Sequence, residues 1–302
     1  MSQVLFFLAA IGVISGAVGV VVLRNPFYAV LALVGHLLSL AVLFLLLRAE
    51  FVAAIQVVIY AGAVMVLYVF VVAYVGDQSE PIGERLRSGG GGAIGSQLRL
   101  GGALVAGALL VELLIALLGT GLEAINGKGA PYAPGPQAYG TPAYIGKLLL
   151  TRFLLTFEIA SFLLLVAAVG GVVLARRRHG IAEDEEEQTL MPIDVLRRGA
   201  VGTMSIAWYL AVSAIVFSLG AVGVMTRRNP LVVLLCLELM LNGANLALIA
   251  FSRMWGNGDG QILAIVVMTV AACEVCIGLG MIVAIYRRSL PIDVDELREL
   301  QG

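Results

Sequence analysis

This chain has little charge. Only 13% of its 302 residues are Asp, Glu, Lys or Arg, against 60% hydrophobic and a mean hydropathy of +1.00. That balance excludes a water-soluble domain of this length and points to an all-α, polytopic membrane protein in a lipid bilayer. A net charge of −1 without a sustained basic surface leaves no case for nucleic acid as a partner. Histidine and cysteine are scarcer still, at two and three. His36 is alone in its apolar run, and one histidine cannot build a metal site, so it reads as a satisfied interior side chain. Cys236, Cys273 and Cys276 also fall in apolar runs. The last two have CxxC spacing but no βαβ context, so they read as packing residues, not a redox or metal pair. No tetrapyrrole, iron–sulfur or nucleotide motif is present. The glycine-rich run 88–95 lacks a Gly-Lys-Ser/Thr ending and follows an apolar run, so it reads as a linker. Met1-Ser2-Gln3 carries no Lys or Arg and no small-residue cleavage site follows, which makes the first run a retained span.

What is abundant is long apolar runs. About eight are long enough to cross a bilayer as helices: 3–23, 26–47, 51–75, 98–119, 153–175, 205–226, 230–251 and 261–286. Residues 144–152, interrupted by Lys147 and Arg152, form an interfacial lead-in to the fifth. Prolines 131, 134, 136 and 142 mark an irregular loop over 120–142. A charged tether at 179–203, with acids from Glu183 to Glu187, divides a domain over 1–178 from one over 204–302. Gly12, Gly16 and Gly19, and later Gly220 and Gly223, permit close helix contact.

Against this background two acids stand out. Glu238 and Glu274 lie in apolar segments otherwise free of charge, and a carboxylate at membrane depth costs at least a few kcal/mol and usually marks an ion or proton pathway. The bland alternative is a protonated acid hydrogen-bonded between helices. Glu112 and Glu158 are further acids within spans, expected to pack against partners and not acyl chains. Along ideal helices Glu238 is about 12 Å from Pro230 and Glu274 about 20 Å from Arg287. If those ends share a side, the acids differ in depth by roughly 8 Å on axes about 8–10 Å apart, so transfer between them needs water or another polar side chain. Burial favours the neutral acid, and ionising one disfavours ionising the other.

Particular motifs carry a family resemblance. Asn25-Pro26, Val58-Ile-Tyr-Ala-Gly-Ala-Val-Met-Val-Leu67 and Phe157-Glu-Ile-Ala-Ser-Phe-Leu-Leu-Leu165 resemble subunit J of bacterial NADH–quinone oxidoreductase, respiratory complex I. Thr226-Arg-Arg-Asn229, Leu237-Glu-Leu-Met-Leu-Asn242, Ala271-Ala-Cys-Glu274 and Asp293-Val-Asp-Glu-Leu297 resemble subunit K. The resemblance implies a J–K fusion with five J-like and three K-like helices, in the bacterial cytoplasmic (inner) membrane. It assigns Glu238 and Glu274 to a proton pathway, and Tyr60, Ala61 and Gly62 to a coupling helix with a π-bulge that changes which side chains face a water path. Gln56 stands where some members have a carboxylate, and is not counted as a proton carrier. This chain is expected to hold no catalytic centre of its own. NADH, flavin, iron–sulfur clusters and quinone would belong to partner subunits, and other membrane-arm subunits, antiporter-like and quinone-site ones included, would surround it. Two rival readings are a small subunit of a related cation/proton antiporter or membrane-bound hydrogenase, and a structural scaffold with silent glutamates.

The positive-inside rule raises a conflict. Arg24, Arg85, Arg87, Arg99 and Arg176 to Arg178 oppose Arg48, Lys128 and Lys147, so the first domain ends inside. Arg227, Arg228, Arg287 and Arg288 oppose Arg253, so the second domain starts outside. The tether would have to cross, or the second domain invert, or the mature form be divided near Met204.

Overall fold

The computed structural model describes residues 2–23, 25–75, 139–175 and 205–288. Among them every regular element is helical. Without water nearby, backbone polar groups must pair inside their own segment, and a helix does this. In chain order the elements are α1 (Ser2–Val22), α2 (Pro26–Leu46), α3 (Glu50–Ile55), a π-helical segment (Gln56–Val64), α4 (Met65–Val75), α5 (Pro142–Thr151), α6 (Leu154–Ala175), α7 (Ile206–Thr226), α8 (Pro230–Trp255) and α9 (Asp259–Arg287). The run from α3 through the π segment to α4 forms one continuous span, Glu50–Val75. With it, seven described helices are long and apolar enough to cross a membrane. They correspond to seven of the eight expected spans; the eighth, 98–119, lies outside the described residues together with Glu112. α5 occupies the expected interfacial lead-in and ends at Arg152.

Three helices begin by the same local device. Asn25, Thr141 and Asn229 each precede a proline, and each side-chain oxygen accepts a backbone N–H from the first turn, at 2.8, 3.4 and 2.9 Å. Proline supplies no N–H where none could be satisfied, so side-chain cap and proline act together. Once formed, the helices associate by close contact, because lipid offers no hydrophobic drive between them. A Cβ on Gly16 would come within 2.8 Å of the Ala32 carbonyl, and one on Gly220 within 2.7 Å of the Cys236 carbonyl. The sequence's glycines thus find their partners: α1 lies on α2, and α7 on α8.

The two halves share one core. Phe6 meets Tyr209 edge-on at 4.7 Å, and Tyr74 meets Tyr286 at 5.6 Å. Arg227 donates from Nε to the Val21 carbonyl at 2.8 Å, and from Nη2 to the same oxygen, tying the α7–α8 turn to the last turn of α1. Arg227, Arg228, Arg287 and Arg288 flank helix ends on this side of the bundle. Arg48, Lys147, Arg152 and Arg253 mark the other, where Phe51 donates to the Gly140 carbonyl and Tyr139 to the Ser252 hydroxyl. α6 differs from the rest, being mostly exposed and resting mainly on α9.

Candidate functional site

Packing decides which way the acid of α8 points. Gly220 of α7 lies against Cys236 and Met240, and Ser213 donates to the Gly243 carbonyl at 2.7 Å. Residues 236, 240 and 243 therefore form the α7-facing side. Glu238, Asn242 and Asn245, spaced i, i+4 and i+7, fall on the opposite side at 100° per residue. All three are buried, at 2%, 0% and 1% exposure. One carboxyl oxygen of Glu238 and both amide ends of the two asparagines have no protein hydrogen-bond partner. Buried and unpaired, each such group costs about 1–3 kcal/mol, which makes this side of α8 expensive to maintain.

The facing wall comes from the J-like half. In the π segment the hydrogen bonds skip one residue further than in an α-helix, so an extra residue is accommodated and the side chains beyond it are re-aimed. Tyr60, 1% exposed, donates its hydroxyl to the Met268 carbonyl of α9 at 2.7 Å. The same hydroxyl is within hydrogen-bonding reach of the Glu238 carboxyl. Two turns on, Tyr68 is fully buried, its hydroxyl has no partner, and it lies within electrostatic range of both Glu238 and Glu274. Glu274 also lies within electrostatic range of Glu238.

Glu274 is placed differently from its counterpart. It lies fifteen residues from Asp259 and thirteen from Arg287, about 20 Å from either end of α9, yet its side chain is exposed on the bundle surface. Pro230 and Arg287 do share one end of the bundle, as the depth comparison assumed, because α8 and α9 are joined at the other end by the turn around Gly256. Tyr68 is a polar side chain that both acids act on electrostatically.

Other named residues separate from this cluster. Ala61 and Gly62 lie in the π segment, both half-buried. Gln56 opens that segment, fully buried and unpaired. Glu158 is exposed on α6 and is not among the groups acting on Glu238. Cys273 and Cys276 are free thiols, and Cys276 donates to the Ala167 carbonyl at 3.5 Å while packing on Gly171, as packing residues should. His36 is buried, and its Nδ1 lies 2.8 Å from the Val13 carbonyl. Among the described residues no group of His, Cys, Asp or Glu could hold a metal ion. Tyr68, Asn242 and Asn245 were not singled out from the sequence. The helical spacing of the asparagines from Glu238 is the signal that could have found them.

Seven described helices of membrane length, with a carboxyl buried at the joint of the two halves, define a multi-pass membrane protein. Residues 16–174 match the family described as NADH-ubiquinone/plastoquinone oxidoreductase chain 6, and residues 208–302 match chain 4L of the same enzyme. The chain belongs to both families, fused end to end, and is a membrane-arm subunit of an NADH–quinone oxidoreductase. Its last third is 53% identical over 93 residues to NADH-quinone oxidoreductase subunit K 1 of Symbiobacterium thermophilum, covering 31% of this chain and 91% of that protein. Subunit K of Deinococcus radiodurans is 52% identical over 32% of this chain and 93% of its own length. Subunit K 1 of Geobacter sulfurreducens is 50% identical over 32% and 95%.

Proposed function

We propose that Glu238 and Glu274 carry protons within the membrane arm, with Tyr60 and Tyr68 between them and the π segment as the element that couples their traffic to events elsewhere in the complex. One observation supports this above the others. Glu238 is buried where the two halves meet, beside uncharged polar groups and with no basic side chain among those acting on it, so it can gain and lose a proton without breaking an ion pair. Asn242 and Asn245 on the Glu238 face of α8, and Gln56 in the π segment, offer unpaired amides that can hold water. Glu274, mid-membrane and exposed, is the acid that hands protons to a neighbouring antiporter-like subunit. On this reading the chain has no redox centre, and NADH, flavin, iron–sulfur clusters and quinone reside in partner subunits of a complex in the bacterial cytoplasmic membrane. A subunit of a related antiporter or hydrogenase fits the K-like half, but the match of residues 16–174 to chain 6 favours the oxidoreductase.

The test is NADH-driven proton pumping in membranes carrying Glu238→Gln, with assembly checked on a native gel. Gln keeps the shape and cannot release a proton, so pumping should fall at least tenfold in an assembled complex. Pumping at the wild-type level would reduce Glu238 to a packing acid.

A further inference from the structure

The connection between the two halves does not suit the places it has to join. α6 and α9 run in the same direction: Arg152 pairs with Asp259 at 3.0 Å where they begin, Gly171 lies against Cys276, and Gly280 against Leu174 further along. α1 and α7 are also parallel, with Phe6 on Tyr209 and Phe7 on Trp208 near their starts and Arg227 on Val21 at their ends. α8 follows α7 through the turn at Arg227 to Asn229 and runs back, and α9 follows α8 through the turn at Gly256. Hence α9 and α6 start at the end of the bundle marked by Tyr139 and Ser252. Ala175 closes α6 at the opposite, arginine-flanked end, whereas Ser205 opens α7 back at the Tyr139 end.

In a continuous chain residues 176–204 would have to return across the whole hydrocarbon thickness. In length they are sufficient, since about ten extended residues reach 30 Å. Their chemistry forbids it. They contain Arg176 to Arg178, Glu183 to Glu187, Asp194, Arg197 and Arg198, and their longest charge-free stretches are six residues, 188–193 and 199–204. A crossing helix needs about 20 apolar residues, and an extended crossing leaves every backbone N–H and C=O unpaired in lipid. Inverting the second half instead would separate Arg227 from Val21 and Tyr60 from Met268.

We propose that the working form is two polypeptides, divided between Ala175 and Ile206. The connection leaves α6 on the arginine-rich side, which is cytoplasmic by the positive-inside rule. There a host endopeptidase can hydrolyse one peptide bond, consuming one water and leaving a carboxylate and an amine, and the second half then inserts on its own. A break near Met204 leaves 99 residues, and the subunit K relatives match this part of the chain over 91–95% of their own length. No covalent link is needed to hold the parts together, given the ring contacts, the Tyr60–Met268 bond and the Arg227 bonds already described.

The experiment places different epitope tags at the two ends of the chromosomal copy and probes the purified, active complex on a denaturing gel. The expected result is two bands, each with one tag, the carboxy-terminal one about a third of the 31.7 kDa full chain. A single full-length band carrying both tags in active complex overturns the proposal. If Met204→Leu abolishes the small band, the division arises by internal initiation, and if the band persists, by hydrolysis; either origin gives two polypeptides. The geometry has its own test, impermeant maleimide labelling of Gly180→Cys and Ser205→Cys in sealed vesicles. Labelling from opposite sides is expected, and labelling from the same side would refute the argument whatever the gel shows.

Discussion

Tyr60 and Tyr68 can be told apart from packing residues because their hydroxyls have different obligations. The Tyr60 hydroxyl holds the Met268 carbonyl, and a hydrogen bond between membrane helices contributes about 0.6 kcal/mol on average and at most about 1.7. Tyr60→Phe should therefore leave assembly nearly intact. If the hydroxyl also orients Glu238, the ratio of protons pumped to NADH oxidised should drop severalfold. Tyr68 gives a sharper test, since its hydroxyl is buried without a partner and its removal relieves a cost of about 1–3 kcal/mol. Tyr68→Phe should be at least as stable to heat as wild type, yet pump less, because the hydroxyl within electrostatic range of both Glu238 and Glu274 is then gone. A stable variant with undiminished pumping would show that the acids communicate by another route.

At the scale of elements, the coupling role proposed for the π segment can be tested at Gly62. A Cβ on Gly62 would find only the Val57 carbonyl within 4 Å, at 3.6 Å, so alanine fits without a clash. Gly62→Ala removes backbone freedom worth roughly 0.5–1 kcal/mol. Assembly should be unchanged or slightly firmer, while quinone reduction and pumping fall together, measured as initial rates in the same vesicles; unaltered rates would mean that the segment does not rearrange. Much of this architecture was legible in the sequence. Apolar runs placed the seven described spans to within a few residues, and Tyr60-Ala61-Gly62 marked the π segment through the family resemblance. Orientation was harder to read. In a helix apolar on nearly every side, periodicity does not say which face is inward, so the burial of Glu238 and the exposure of Glu274 look the same on the page. Gly16 and Gly220 announced close contacts without naming Ala32 or Cys236 as partners, because that choice is made by the fold and not by the motif.

At the scale of the whole molecule, several polar contacts join the halves among the described residues, and those of Arg227 hold the end of α1. Helix α1 ends with carbonyls that its own backbone leaves unpaired, and the guanidinium covers Val21 with two donors in one plane. A hydrogen bond to a charged group contributes about 1.5–3 kcal/mol, comparable to a sizeable fraction of the stability of a small domain. Arg227→Ala should accordingly lower the thermal midpoint of the detergent-solubilised complex, and Arg227→Lys, with a single point charge, should recover only part of the loss. What dissociates depends on whether the chain is divided. In a continuous chain the K-like half stays tethered after the contact is lost, so the subunit unfolds in place and the native gel shows one species. With two polypeptides the same substitution frees the smaller one, which leaves the complex in mild detergent along with Glu238 and Glu274. A native gel of Arg227→Ala, blotted for the carboxy-terminal tag, should show that fragment migrating apart from the remainder, whereas co-migration through the whole thermal transition would contradict it.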